Sequence, residues 1–203
     1  ALHVTLQLAI LTSLFMLAAT DGPVWTTWVA AVSCGFSAGI SVIVLLMKLG
    51  HYVHSPSRWL ANAMMQAVAY PHFTQEHNRN HHRYVAMKKD GASAPRGRGF
   101  WKHFAVTIPL SDLVYTEKCR ESSLASVIQS CYALSYRYLS LLIATYRYGT
   151  FPMNTTVSPI WLIYSASAVF LLEYVNYIQH YGLHREEGAT VTEHHSWDSE
   201  ARW

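Results

Sequence analysis

Residues Val24 to Leu49 read VWTTWVAAVSCGFSAGISVIVLLMKL, with no charge before Lys48. A helix needs roughly 20 consecutive apolar residues to cross the hydrocarbon of a bilayer, and this run exceeds that. A helix in the core of a water-soluble protein keeps a charged face toward solvent, and this run has no such face. It predicts a transmembrane α-helix, long enough to span with some tilt. A tight turn at Asp21-Gly22-Pro23 joins it to an earlier apolar run, Leu2 to Ala19. That run lacks the basic leader and small-residue cleavage site of a signal peptide, so it reads as a membrane helix entered partway. Further along, Val157 to Ile178 is apolar except for Glu173, and Ser158-Pro159 marks its start as a helix N-terminus. A fourth candidate, Val127 to Tyr146, contains Arg137, which needs a place within protein or at an interface. Trp59 to Tyr70 is too short to span and reads as an interfacial or re-entrant helix.

Composition agrees with lipid as the solvent: 51% of the 203 residues are hydrophobic and only 13% are charged, about half the charged share of an ordinary soluble domain. The formal charge of +3 is small and scattered, and no basic run interleaved with aromatics exists, which excludes nucleic acid as a partner. Cys34, Cys119 and Cys131 are odd in number and widely spaced, so they form neither a disulfide framework nor a zinc site. They read as small apolar residues in or near helices. The expected fold class is all-α, a multi-span helical membrane protein. The chain, residues 1–203, is expected to be a single membrane-embedded domain that is incomplete at both ends.

Orientation follows from the excess of Lys and Arg in short cytoplasmic loops. Arg58, Arg79, Arg83, Lys88, Lys89, Arg96, Arg98, Lys102, Lys118 and Arg120 all fall between Gly50 and Ser126, which places that segment in the cytoplasm. Arg147 is the dissenting charge, at the opposite edge. Threading the spans through this scheme brings His51, His54, the group from His77 to His82, and His180 to the cytoplasmic membrane face.

Nine of the twelve histidines fall in four tight groups. The densest is Glu76-His77-Asn78-Arg79-Asn80-His81-His82. His77 and His81 are four apart and share a helix face. Neutral imidazole suits iron and other borderline metals, so this pair can bind one ion while His82 turns toward a second. His51 and His54 close the long apolar run, with a spacing that also keeps both on one face, although a helix C-terminus by itself favours histidine. His180 ends the last span in Asn176-Tyr177-Ile178-Gln179-His180-Tyr181-Gly182-Leu183-His184-Arg185, and His194 and His195 stand in a polar tail. His3, His72 and His103 lie outside the groups and read as interfacial or hydrogen-bonded histidines, while His184 is expected to face solvent. No hydrolase triad motif and no glycine-rich phosphate loop is present. Bis-His haem needs two well-separated histidines rather than adjacent pairs.

At these residues the sequence resembles the membrane alkane 1-monooxygenase and xylene monooxygenase family. Glu76-His77-Asn78-Arg79-x-His81-His82 is similar to the family's middle histidine box, and Asn176-Tyr177-Ile178-Gln179-His180-Tyr181-Gly182-Leu183 with Arg185 to its signature near the last span. Glu193-His194-His195-Ser196-Trp197-Asp198-Ser199 resembles the family's His-Ser-Trp-Asn-Ser stretch, with Asp198 in place of Asn. The likeness runs from about His51 to the end. The family's first box, His-Glu-Leu-x-His, is shortened here to His51-Tyr52-Val53-His54. On a helix that shift swings His51 by about 100° and moves it by about 1.5 Å.

The resemblance implies a non-haem centre of two iron ions at the cytoplasmic end of a helical bundle. Its metal ligands would be His51, His54, His77, His81, His82 and His180, with Glu76, Asn78, Asn176 and His195 in support. A further box, His-x-x-His-His, would lie beyond Trp203. The implied activity is hydroxylation of the terminal carbon of alkanes or similar chains by O₂ and two electrons. The implied donor is a rubredoxin or ferredoxin served by an NAD(P)H reductase, and the implied location is the bacterial inner membrane. The alternative is a fatty-acyl desaturase or hydroxylase of the same histidine-box superfamily.

Overall fold

The computed structural model describes residues 2–22, 24–49, 56–70, 72–108 and 157–197. Among the described residues every regular element is helical and none is a strand. In chain order these are α1 (Leu2–Asp21), α2 (Trp25–Leu49), α3 (Pro56–Ala67) and α4 (Phe73–Glu76). A π-helical turn (His77–His81) continues α4 into α5 (His82–Tyr84). Residues 100–108 form α6, Val157–His180 forms α7, and a 3₁₀ turn covers Glu193–His195. The apolar runs thus become helices at nearly the expected limits, and α7 extends to His180 itself. The short run after Trp59 is helical from Pro56 to Ala67. The expected span Val127 to Tyr146, the His51–His54 pair, Cys119 and Cys131 lie outside the described residues. Among the described residues one helix, Pro159–His180, is long and apolar enough to cross a membrane, and Thr5–Asp21 is a shorter apolar helix.

The chain divides into two compact units, Ala1–Pro71 with Ser123–Leu171, and His72–Ser122 with Leu172–Trp203. In the first, α1 packs on α2 and α2 on α3. Small residues fill the seams: Ala18, Ala31, Ala38, Ala61, Thr27 and Ala168 are all buried, while Leu6, Leu8, Met16, Val29, Ile40 and Leu162 are exposed. Inside a membrane lipid tails are as apolar as leucine, so helices gain by close approach of small residues rather than by hiding large ones. Gly35 and Gly39 carry this furthest. A Cβ at Gly35 would overlap the carbonyl oxygen of Tyr164 and come within 2.7 Å of Ser167 Cβ, and one at Gly39 would lie 3.0 Å from Ala168 O. α2 therefore seats directly on the backbone of α7. Buried Gln7 ties α1 to α2 by accepting the Ser41 hydroxyl at 3.3 Å and the Ser37 hydroxyl at 3.5 Å. The indole N–H of Trp161 donates to Ala67 O at 3.2 Å, at the C-terminus of α3.

The second unit joins α4 to α6 with the end of α7 and the tail. Phe100 of α6 sits edge-on to Tyr174 and Tyr177, with centroids at 5.3 and 5.5 Å. The hydroxyl of Tyr177 donates to Arg98 O at 2.9 Å. Arg185 is buried, and its guanidinium donates to the carbonyls of Val85 (2.9 Å), Arg83 (2.7 Å) and Ala189 (2.6 Å). Its amide adds a bond to Ala86 O at 2.8 Å. Carbonyl acceptors for its N–H donors offset part of the cost of burying this cation, and the bonds pin the chain just after the histidine helix.

Candidate metal centre

Between His77 and His82 the backbone widens into a π turn, and the amide of His82 reaches back to the carbonyl of His77. In a regular α-helix a residue five positions on is rotated by about 140° and faces away. The π turn instead keeps His82 beside His77, with ring centroids 4.6 Å apart, and His77 and His81 stack at 5.2 Å. Single π turns of this kind recur at functional sites. His180, at the end of α7, meets His81 at 4.6 Å, and His81 lies 5.7 Å from His82. Four imidazoles are therefore neighbours within one unit. His77, His81 and His180 are buried, and His82 is exposed.

Two of these rings have a fixed tautomer. His81 Nδ1–H donates to Asp90 Oδ2 at 3.0 Å, and both side chains are almost wholly buried. Asp90 is itself held by the Ser93 hydroxyl at 2.5 Å and the Ala92 amide at 3.1 Å. Burial opposes the charged form of His81. The hydrogen bond and charge of Asp90, with the charges of Glu76 and Glu173, together outweigh it and raise the imidazole above its ordinary range. Burial likewise opposes the Asp90 carboxylate, but His81, Ser93 and the Ala92 amide hold it below the usual carboxylate range. His180 Nδ1–H donates to the carbonyl of His195 at 3.1 Å. In the neutral form of either ring the proton is thereby kept on Nδ1 and the lone pair on Nε2.

The supporting positions divide. Glu76 is buried and accepts Asn80 Nδ2 at 2.9 Å, next to the cluster. Asn78 turns back to its own helix, donating to Thr74 O at 2.9 Å. Asn176 is buried, and its Nδ2 has no hydrogen-bond partner among the described residues. The ring of His195 does not enter the cluster: its Nδ1 accepts the Thr192 amide at 2.9 Å, and what reaches His180 is its carbonyl. His103 is fully buried and hydrogen-bonded to Thr107, while His184 is exposed. His51 and His54 lie outside the described residues.

Asp90, Ser93 and Glu173 are further polar residues buried here that no histidine motif points to. Asp90 and Ser93 sit in an irregular loop where no period announces them. Glu173 did carry a signal, as an acidic residue inside an apolar run. Glu173, Asn176 and His180 are spaced three and four apart, one stripe of α7, and all three are buried.

Nitrogen donors backed by carboxylates are a set that fits iron. Among the described residues no three His, Cys, Asp or Glu side chains already close around one point, so the fit is one of donor chemistry and proximity.

The family model described as Fatty acid desaturase matches residues 23–203, and the chain belongs to that family of histidine-box membrane proteins. Within it, the chain is 30% identical over 187 residues to an alkane 1-monooxygenase of Pseudomonas putida, covering 85% of this chain and 46% of the relative. It is 31% identical over 163 residues to an alkane 1-monooxygenase of Ectopseudomonas oleovorans, covering 75% and 40%. To the xylene/toluene monooxygenase hydroxylase component XylM of Pseudomonas putida it is 25% identical over 174 residues, covering 82% and 46%. The chain spans just under half the length of these curated relatives.

Proposed function

We propose that this chain belongs to an integral-membrane di-iron monooxygenase that hydroxylates the terminal carbon of alkanes or similar apolar chains. The observation that supports this reading is the set of ring contacts that links His77, His81 and His82 to one another and His81 to His180, with the Nδ1 side of His81 and of His180 taken by Asp90 and by the His195 carbonyl. The similarity to alkane 1-monooxygenases and to XylM supports the substrate class. These four histidines, with His51 and His54 carried over from the motif, are the proposed ligands of two iron ions. α1, α2 and α7 are the proposed spans, with the site on the cytoplasmic side of a bacterial inner membrane.

Iron bound there would supply the activation of O₂, with two electrons, for insertion of one oxygen atom into an unactivated C–H bond. The chain's own residues orient and exclude water. Asp90 holds the Nδ1 proton of His81 and the His195 carbonyl holds that of His180, so both rings would turn Nε2 toward a metal in a set direction once that nitrogen is deprotonated. Glu76 and Glu173 add negative charge around a site that would gather positive ions. The proposed electron donor is a rubredoxin or ferredoxin served by an NAD(P)H reductase. Exposed Lys88, Lys89 and Arg96 would steer an acidic partner, although Lys89 is already paired with Glu187. The family's own description keeps a second reading in play, a desaturase or hydroxylase acting on a lipid-linked acyl chain.

The test is His81→Ala in the full-length membrane protein, with exposed His184→Ala as its control. The first is expected to lose iron and octane-to-octanol conversion while still inserting in the membrane, because insertion depends on the apolar runs. The control is expected to keep both. Unchanged iron and near-normal turnover in His81→Ala would remove His81 from the site, and turnover of an acyl-lipid in place of octane would favour the second reading.

A further inference from the structure

We propose that Trp197 is a positioning residue that holds the His180 imidazole in its metal-binding tautomer. The inference rests on the reading of His180 as an iron ligand. A helix ends with carbonyls that lack partners within the helix, and α7 ends at His180. Trp197 supplies donors on both sides of that residue. Its amide N–H donates to Gln179 O at 2.7 Å and its indole Nε1–H to Tyr181 O at 2.8 Å. One residue thus clamps the two peptide carbonyls that flank His180 in sequence, its backbone holding Gln179 O and its side chain Tyr181 O. The clamp has a consequence two residues upstream, because the strand of chain it anchors brings the His195 carbonyl to 3.1 Å from His180 Nδ1.

The segment between these anchors is braced as well. His195 N–H donates to Thr192 O at 3.1 Å, and the Thr192 amide donates at 2.9 Å to Nδ1 of the His195 ring. The position of the His195 carbonyl is therefore set by a closed turn on one side and by Trp197 on the other. A backbone carbonyl can only accept, so it selects the Nδ1–H tautomer of His180 and leaves the lone pair on Nε2. Trp197 itself is 63% exposed, so its indole fills no core space. Its side chain contributes the indole N–H bond to Tyr181 O, which mutation removes without emptying core space and without touching the backbone bond to Gln179 O.

The test uses the full-length iron-loaded protein and the variants Trp197→Phe, Trp197→Ala and His180→Ala. Trp197→Phe removes the indole N–H and keeps an aromatic ring. Both Trp197 variants are expected to release iron to a chelator about tenfold faster than the parent, the low end of what loss of a ligand-orienting partner costs. In the iron-free protein labelled with ¹⁵N-histidine, the His180 signal, assigned by its loss in His180→Ala, should report the Nδ1–H tautomer in the parent and a mixture in Trp197→Ala. A purely structural strap would change neither tautomer. Iron release at the parental rate with an unchanged tautomer overturns the proposal while His180→Ala still loses iron. A His180→Ala variant that keeps its full iron instead overturns the ligand reading beneath it, whatever the tautomer shows.

Discussion

Asp90 lies nine residues beyond His81 and turns a buried imidazole into a directed donor. Its carboxylate, fixed by Ser93 and Ala92, takes the Nδ1 proton and leaves Nε2 as the base. Replacing it by Asn keeps the shape but removes the charge and is expected to weaken iron binding by about tenfold or more. The pH dependence of the iron-free protein gives an independent check. The Asp90 pKa is lowered in the fold, so its contribution is fully present above the ordinary carboxylate value of 3.8 and is lost as pH falls through the lowered value. The His81 pKa is raised, so its contribution is fully present below the ordinary 6.5 and is lost as pH rises through the raised value. The difference in thermal stability between the parent and Asp90→Asn should therefore be greatest between those two ordinary values and shrink on either side. A difference that stays flat from acid to alkaline pH would mean the pair is not charged. At this scale the sequence displayed the histidines but not what holds them. Histidines in groups stand out because imidazole is rare, whereas a single aspartate after two lysines looks like any solvated loop until the chain folds it back.

Helix positions were legible because run length and charge-free stretches report directly on what a membrane-compatible segment must be. Val24 to Leu49 became α2 and the run from Val157 became α7 for that reason. The π turn at His77–His81 was not legible, since a spacing of four fits an α-helix equally well and only the hydrogen bond from His82 to His77 distinguishes them. The ring of His82, expected to turn toward a second ion, lies beside both His77 and His81. The α2–α7 seam was likewise hidden, because glycine spacing names no partner helix. It yields a prediction. Gly35→Ala places a methyl against the Tyr164 carbonyl and Ser167 Cβ, backbone and short side chain that cannot swing aside. It should destabilise the protein by about 1–3 kcal/mol, the usual cost of overpacking. Gly99→Ala, where a Cβ meets nothing within 4 Å, is the comparison. Equal melting temperatures for the two variants in detergent would show that the seam accommodates the added group.

Across the whole chain, the histidine-bearing segments of the second unit come from distant stretches of sequence. His77 to His82 and His180 are separated by about a hundred residues, yet His81 and His180 touch. An ion that binds the folded arrangement and not the unfolded chain stabilises whatever holds its ligands together, by about 2.7 kcal/mol at a hundredfold excess over the dissociation constant. That stabilisation should appear where the ligands and their supports lie. Iron loading of the full-length protein is expected to slow amide hydrogen exchange through the π turn, the loop carrying Asp90 and the strap from Thr192 to Trp197. The carbonyls of Arg83 and Val85, tied to Arg185, should carry the effect into the chain between them. α1 should be unaffected, because its contacts with α2 are small-residue packing and the Gln7 bonds, and none of them involves a histidine of the cluster. In His81→Ala the slowing at the Asp90 loop should disappear while exchange in α1 stays as in the parent. Uniform slowing along the chain would instead mean that iron acts on global stability through some other site, and slowing confined to α1 and α2 would place the metal away from the middle histidine group.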